Sequence, residues 1–251
     1  MLEPWQLGVL TVAGFASGWI NVIAGGGSLL TVPVMVFMGL PGPIANGTNR
    51  IAIIVQSLSA IASFRSKGFS DFRLSATLAA AASAGAYFGA RIGVSLDGVW
   101  FNRTVAAVMI AVMILMATGE DKSKPKPDAS SKAKNLVLGH ILMVGAGFWG
   151  GFIQIGVGFL LMPILYRVMG LDLVRVNMHK VFIALVFTSV AFFVFVSKVE
   201  IVWEAGAALA LGTAVGGWMG AHAAIRKGER FIKRAMFAVL AAMAVKLVFF
   251  P

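Results

Sequence analysis

The groups best suited to chemistry cluster around one stretch, Asn21-Val22-Ile23-Ala24-Gly25-Gly26-Gly27-Ser28-Leu29-Leu30-Thr31-Val32-Pro33. Each glycine costs a helix roughly 1 kcal/mol relative to alanine, so Gly25, Gly26 and Gly27 together should break one. The break bares backbone N–H and C=O groups, and Ser28 should open a new helix whose positive end attracts an anion. Asn46, Thr48 and Asn49 add amide and hydroxyl donors further along, and Gln154, Asn177, His179 and Lys180 answer them in the second half. Neutral donors with one lysine and one histidine suit an oxyanion that must be released as well as bound.

The same inventory argues against an enzyme. The ten acidic residues fall in loops or at predicted helix ends, so no buried carboxylate pair is available for acid–base work. There is no cysteine, which removes disulfides, thiolate metal sites and thiol catalysis. Neither H-E-x-x-H nor G-x-S-x-G is present, and Gly25-Gly26-Gly27-Ser28 lacks the Gly-Lys-Ser/Thr ending of a phosphate loop. No cofactor and no metal are implied. Arg91 and His222 read as interfacial anchors, His140 as a boundary residue, and Trp19, Trp149, Trp203 and Trp218 as packing or interface residues.

The elements that must position these groups are membrane helices. Hydrophobic residues make up 59% of the 251 and charged ones 12%, too few polar groups to cover a soluble fold. Stretches 5–24, 28–49, 51–64, 74–90, 104–119, 181–197 and 205–221 carry no Lys, Arg, Asp or Glu. Several approach the roughly 20 apolar residues of a spanning helix. The net charge of +11 sits in short loops between apolar runs, which points to a lipid bilayer and not to nucleic acid. Met1-Leu2-Glu3-Pro4 supplies no basic n-region, so the first apolar run is read as a retained helix.

In order, helices are predicted at 5–23, 28–40, 44–64, 72–94 and 100–118, with Pro41-Gly42-Pro43 stopping the short second one. At 1.5 Å per residue that short helix is about 20 Å long, less than the bilayer core of about 30 Å. Residues 120–134 form a lysine-, proline- and serine-rich linker with too little apolar surface to fold. The chain therefore divides into a first transmembrane repeat at 1–119, a cytoplasmic linker at 120–134 and a second repeat at 135–251.

The halves answer each other. Gly14-Phe15-x-x-Gly18-Trp19-Ile20-Asn21 is matched by Gly147-Phe148-x-x-Gly151-Phe152-Ile153-Gln154, and Pro33 by Pro163. Gly39-Leu40 is matched by Gly170-Leu171, Asn46 by Asn177, Gly85-x-x-x-Gly89-Ala90 by Gly216-x-x-x-Gly220-Ala221, and Arg103 by Arg234. If each repeat is a returning hairpin followed by three crossings, most of the 21 basic residues fall inside, Lys180 among them. Arg50, Arg91, Arg103, Lys198 and Lys246 then fall on or towards the outer side. That bias favours inverted repeats, an all-α integral membrane fold in which each half is a broken helical hairpin plus three transmembrane helices. Two inverted hairpins would bring their broken tips together near the midplane, the usual place for a secondary transporter's site.

The G-x-x-x-G…G-G-G-S-L-L-x-V-P opening, the Ala45-Asn46-Gly47-Thr48-Asn49 that follows, and the weaker second copy Gln154-Ile155-Gly156-Val157-Gly158 resemble the TauE/SafE sulfite-exporter family. The resemblance runs from about Gly8 to the C-terminal apolar stretch. It implies a multi-pass permease of the bacterial inner membrane for small sulfur-containing anions such as sulfite, thiosulfate, sulfoacetate or related sulfonates. The motif positions carried over are Asn21, Gly25, Gly26, Gly27, Ser28, Asn46, Thr48 and Asn49. The expectation is a secondary transporter working by alternating access, with a channel or facilitator for a small solute as the alternative. Coupling to protons or sodium, the direction of transport and the oligomeric state stay open, with His179 the candidate proton carrier.

Overall fold

The computed structural model describes residues 2–24, 26–66, 72–96, 98–118 and 133–223. Gly25, most of the linker and the C-terminal segment of the second repeat lie outside the described residues. Among them the fold is all helical, with no strand: α1 (Pro4–Ala24), α2 (Ser28–Phe37), α3 (Gly42–Arg65), α4 (Phe72–Gly93), α5 (Gly98–Thr118), α6 (Leu136–Phe152), α7 (Val157–Pro163, continued by a π-helical turn at Ile164–Val168), α8 (Leu173–Val196) and α9 (Trp203–Ala223).

The short helices end alike. α2 stops at Phe37, three residues before the predicted end, because Gly39 turns left-handed (φ 92°) and the Leu40 N–H folds back onto Met35 O at 3.1 Å. Gly170 (φ 70°) does the same after α7, where the Leu171 N–H donates to Leu165 O at 3.1 Å. Glycine pays no Cβ penalty there, which explains the matched Gly-Leu pairs in the two halves. Asp172 caps α8 by accepting from Val174 N and Arg175 N, so this carboxylate is spent at a helix start.

Packing crosses between the halves. α1 lies on α9, and α6 lies on α4, each at backbone contact. A Cβ at Gly14 would stand 2.6 Å from Leu209 O, and one at Gly18 2.6 Å from Thr213 O. On the other pair, a Cβ at Gly85 or Gly147 would overlap the carbonyl of Val144 or Ala82. Small residues allow this approach where lipid supplies no hydrophobic drive between helices. α3 and α8 cross in the middle against α9, α4 and each other.

Large apolar side chains face outward, and a set of polar ones is buried within the apolar core. Val12, Val137 and Phe193 are 70, 77 and 71% exposed, whereas Asn46, Asn49, Arg50 and His179 are fully buried. Trp5, Trp100 and Trp203 stand exposed at the starts of α1, α5 and α9, the interfacial placement that suits an amphipathic ring. Among the described residues only α8 is long and apolar enough to cross a bilayer unaided. α1, α3 and α9 carry glycines, amides or a buried cation on the faces they turn to their neighbours.

Candidate functional site

The first break separates α1 from α2. Asn21, near the end of α1, donates its amide to Gln56 Oε1 at 2.9 Å and accepts from Gly27 N at 3.4 Å. Asn49 clips α2 to α3: its Oδ1 accepts from Thr31 Oγ1 at 2.6 Å, and its Nδ2 donates to Ser28 Oγ at 3.2 Å. Asn49 and Gln56 are seven residues apart, two helical turns, so α3 presents both on one face.

The second break separates α6 from α7 and uses two left-handed residues, Gln154 (φ 61°) and Gly156 (φ 71°). Gln154 has a Cβ, so its conformation must be enforced by its surroundings. Arg50 Nη1 donates to Gln154 Oε1 at 2.6 Å, and Gln154 Nε2 donates to Thr188 Oγ1 at 3.0 Å. Arg50 also donates to Gly150 O at 3.2 Å and Gly151 O at 2.5 Å, while Asn46 Nδ2 donates to Phe152 O at 2.9 Å. The last carbonyls of a helix lack intrahelical donors. Here α3 supplies them, one turn apart.

α8 returns the arrangement. Lys180 Nζ donates to Asn21 O at 3.0 Å, Val22 O at 2.9 Å and Asn177 Oδ1 at 2.8 Å. Each interrupted helix thus ends against a cation carried by a long helix of the other half. Arg50 is 0% and Lys180 4% exposed, and their hydrogen-bond partners are carbonyls and amides, none a carboxylate. A helix C-terminus carries about half a unit of negative charge, so two such ends offset about one of the two positive charges.

Between the breaks lies a cavity of about 20 Å³. Asn21, Ser28, Gln56, Ser57, Gln154 and Lys180 give it a polar side; Ile53, Val157, Gly158, Leu161, Val181 and Ala184 form the apolar side. One water needs roughly 10–15 Å³ on this measure, so the cavity has room for about one water.

Of the residues singled out in the sequence, Asn21, Ser28, Gln154 and Lys180 line this cavity. Gly26 and Gly27 are buried at the first break, Asn49 holds that break, Asn46 holds the end of α6, and Asn177 supports Lys180. Thr48 and His179 face elsewhere. Thr48 Oγ1 accepts from Val202 N at 3.1 Å, just ahead of α9, and His179 Nδ1 lies 2.7 Å from Ser75 Oγ on α4. Thr48→Val should therefore lower thermal stability by about 1 kcal/mol, the worth of one hydrogen bond, and leave ligand affinity unchanged. Melting curves and calorimetric titration of the same preparation check both halves of that statement.

Two placements are corrected. Arg50, assigned by loop charge to the outer side, is buried against the end of α6, with the Phe195 ring 4.3 Å from its guanidinium carbon. Lys180, assigned to an inner loop, lies inside the bundle. Gln56 and Ser57 were missed as well. The spacing Asn46, Asn49, Arg50, Gln56 follows helical period, and that was the signal available.

A buried polar cavity between two broken helices still admits more than one protein class. The profile of the sulfite exporter TauE/SafE family decides it, matching residues 10–247. The chain belongs to the TauE/SafE family. This TauE/SafE protein is 28% identical over 245 residues to a probable membrane transporter protein, ORF9, of Sinorhizobium, covering 98% of this chain and 93% of that one. It is 24% identical to a probable membrane transporter protein of Haemophilus influenzae, covering 97% and 94%, and 24% identical to the probable membrane transporter protein YfcA of Escherichia coli, covering 99% and 92%. No solved structure matches. As a TauE/SafE member the protein is an all-helical membrane transporter and not an enzyme.

Proposed function

We propose that the protein is a secondary transporter of small sulfur-containing anions, sulfite, thiosulfate, sulfoacetate or another organosulfonate, working by alternating access in a bacterial inner membrane. The observation that carries this reading is the small cavity between the two breaks. Its polar wall consists of neutral donors and one buried lysine, and among the described residues no carboxylate lines it. A cation pathway would place an acidic group there. The family name adds sulfite-type chemistry.

The fold proposed is two inverted repeats, 1–119 and 135–251, joined by a cytoplasmic linker at 120–134. Matched glycine stops after α2 and α7 and the reciprocal packing of α1 on α9 and α6 on α4 support it. Asn21, Ser28, Gln154 and Lys180 contact the anion, joined by Gln56 and Ser57. Gly26, Gly27, Asn46, Asn49 and Asn177 shape the breaks, and Thr48 and His179 act outside the cavity. The cavity is too small for a sulfonate as it stands, so the hairpin tips must part to admit one. A site this narrow favours a carrier over an open channel. With the cell interior negative, expelling a monoanion gains about 2.3 kcal/mol per 100 mV, so export needs no coupling ion, whereas uptake needs protons or sodium.

Thermal stabilisation of the purified protein by sulfite, thiosulfate, sulfoacetate, taurine, sulfate, acetate and chloride tests this. A ligand at 100 times its dissociation constant should add about 2.7 kcal/mol. The expected result is a shift with at least one sulfur anion that Ser28→Ala diminishes. Equal shifts with all anions, or none, would return the substrate to an open question.

A further inference from the structure

Arg50 does not line the cavity, yet it touches a residue that does. The inference drawn from it rests on the anion-site reading above. A neutral amide suffices to satisfy a terminal carbonyl, as Asn46 does for Phe152 O. Burying a guanidinium for that purpose alone is costly, because its charge loses water. The cost is not recovered by full pairing either, since Arg50 Nε has no hydrogen-bond partner among the described residues.

The geometry at Gln154 supplies the missing reason. A side-chain amide has an acceptor end and a donor end, and which one faces a ligand decides whether an oxyanion is attracted or repelled. Only the oxygen can face a guanidinium. Arg50 takes Gln154 Oε1 at 2.6 Å, which leaves the NH₂ group to Thr188 and to the cavity. That group has two N–H donors and Thr188 uses one, so one N–H is left over on a residue that lines the cavity. Arg50 also grips Gly150 O and Gly151 O just before the break, so the backbone that leads into left-handed Gln154 is held by the same planar fork. The Phe195 ring covers the guanidinium 4.3 Å away and keeps it dry.

We propose that Arg50 is a positioning residue for the anion: it holds the Gln154 amide with its oxygen turned away and its NH₂ presented to the cavity. Lysine is not an equivalent here, because the contacts come from two separate nitrogens, Nη1 on Gly150 O and Gln154 Oε1 and Nη2 on Gly151 O, and a single ammonium cannot stand at both positions. A purely electrostatic role, by contrast, would survive Arg50→Lys.

The experiment is a double-mutant cycle on anion affinity, read by calorimetry with whichever sulfur anion stabilises the wild type, alongside proteoliposome flux. Arg50→Lys and Gln154→Ala should each weaken binding by about tenfold or more, and the double variant no further, as for groups in one hydrogen-bond network. The losses should appear in KM more than in kcat. Gln154→Glu keeps the partner of Arg50 and should fold normally, yet bind no anion, since a second carboxylate oxygen then faces the cavity. Losses that multiply, an Arg50→Lys protein that binds like wild type, or a Gln154→Glu protein that does so, would overturn the proposal. A wild-type protein that binds no anion of the panel removes the site reading itself, which distinguishes that failure from lost coupling.

Discussion

Lys180→Met is expected to abolish anion binding in a protein that still folds. A monoanion about 4 Å from an ammonium, at an effective dielectric near 20, gains about 4 kcal/mol. Losing that is worth roughly a thousandfold in affinity. Folding should survive because two effects oppose each other. Methionine leaves Asn21 O, Val22 O and Asn177 Oδ1 without their donor, costing about 1 kcal/mol or more each. It also removes the desolvation cost of a charge that has no carboxylate partner, which is of similar size. Calorimetric titration and a melting curve on the same sample read the two quantities separately. Lys180→Arg, which keeps the charge, should bind measurably where methionine does not. Undiminished binding in Lys180→Met would show that the lysine serves only the end of α1. In the closed form all three N–H groups of Lys180 are already used, so an arriving anion competes with the protein's own carbonyls for them.

The largest effect on assembly should come from Gly147→Leu. A Cβ there would overlap the carbonyl of Ala82, a backbone atom that cannot turn aside. Overpacking of this kind costs about 1–3 kcal/mol or more, and here it must prise α6 from α4 along their whole contact. The internal control lies two residues away on the same helix: a Cβ at Gly145 meets nothing within 4 Å, and the position is exposed. Gly145→Leu should be neutral or mildly stabilising, because leucine is the better helix former. Size-exclusion profiles in detergent and melting temperatures compare them. Equal behaviour of the two variants would mean that the α4–α6 contact does not hold the fold.

The breaks, the short helices and the glycine faces were legible because each depends on local chemistry: glycine where a helix must stop or where two backbones meet. Ser28 opens α2 as read, and both short helices end at their matched glycines. What lay beyond the sequence was rotation. A helix turns about 100° per residue, so adjacent residues face different neighbours. Lys180 therefore reaches α1 while His179 next to it reaches Ser75 on α4, and Thr48 beside Asn49 turns toward α9. Arg50 was misplaced for a related reason. Counting charges along the chain treats a basic residue near a helix end as exposed, and nothing local reveals that the end of a helix a hundred residues later will cover it. Gln56 was overlooked because its place two turns beyond Asn49 on one face of α3 shows its use only once its partner, Asn21, is known.

The pairing of α1 with α9 also governs how the protein is made. At a synthesis rate of about 5–20 residues per second, the roughly 180 residues between the end of α1 and the start of α9 take on the order of 10–40 s to emerge. For that interval the glycine face of α1 lies in the bilayer without its mate, open to any other small-residue face that drifts past. Neither half can reach its final packing alone, because each lends its first helix to the other. The α1–α9 contact therefore joins parts of the chain made far apart in time, a long-range docking that local helix formation cannot supply.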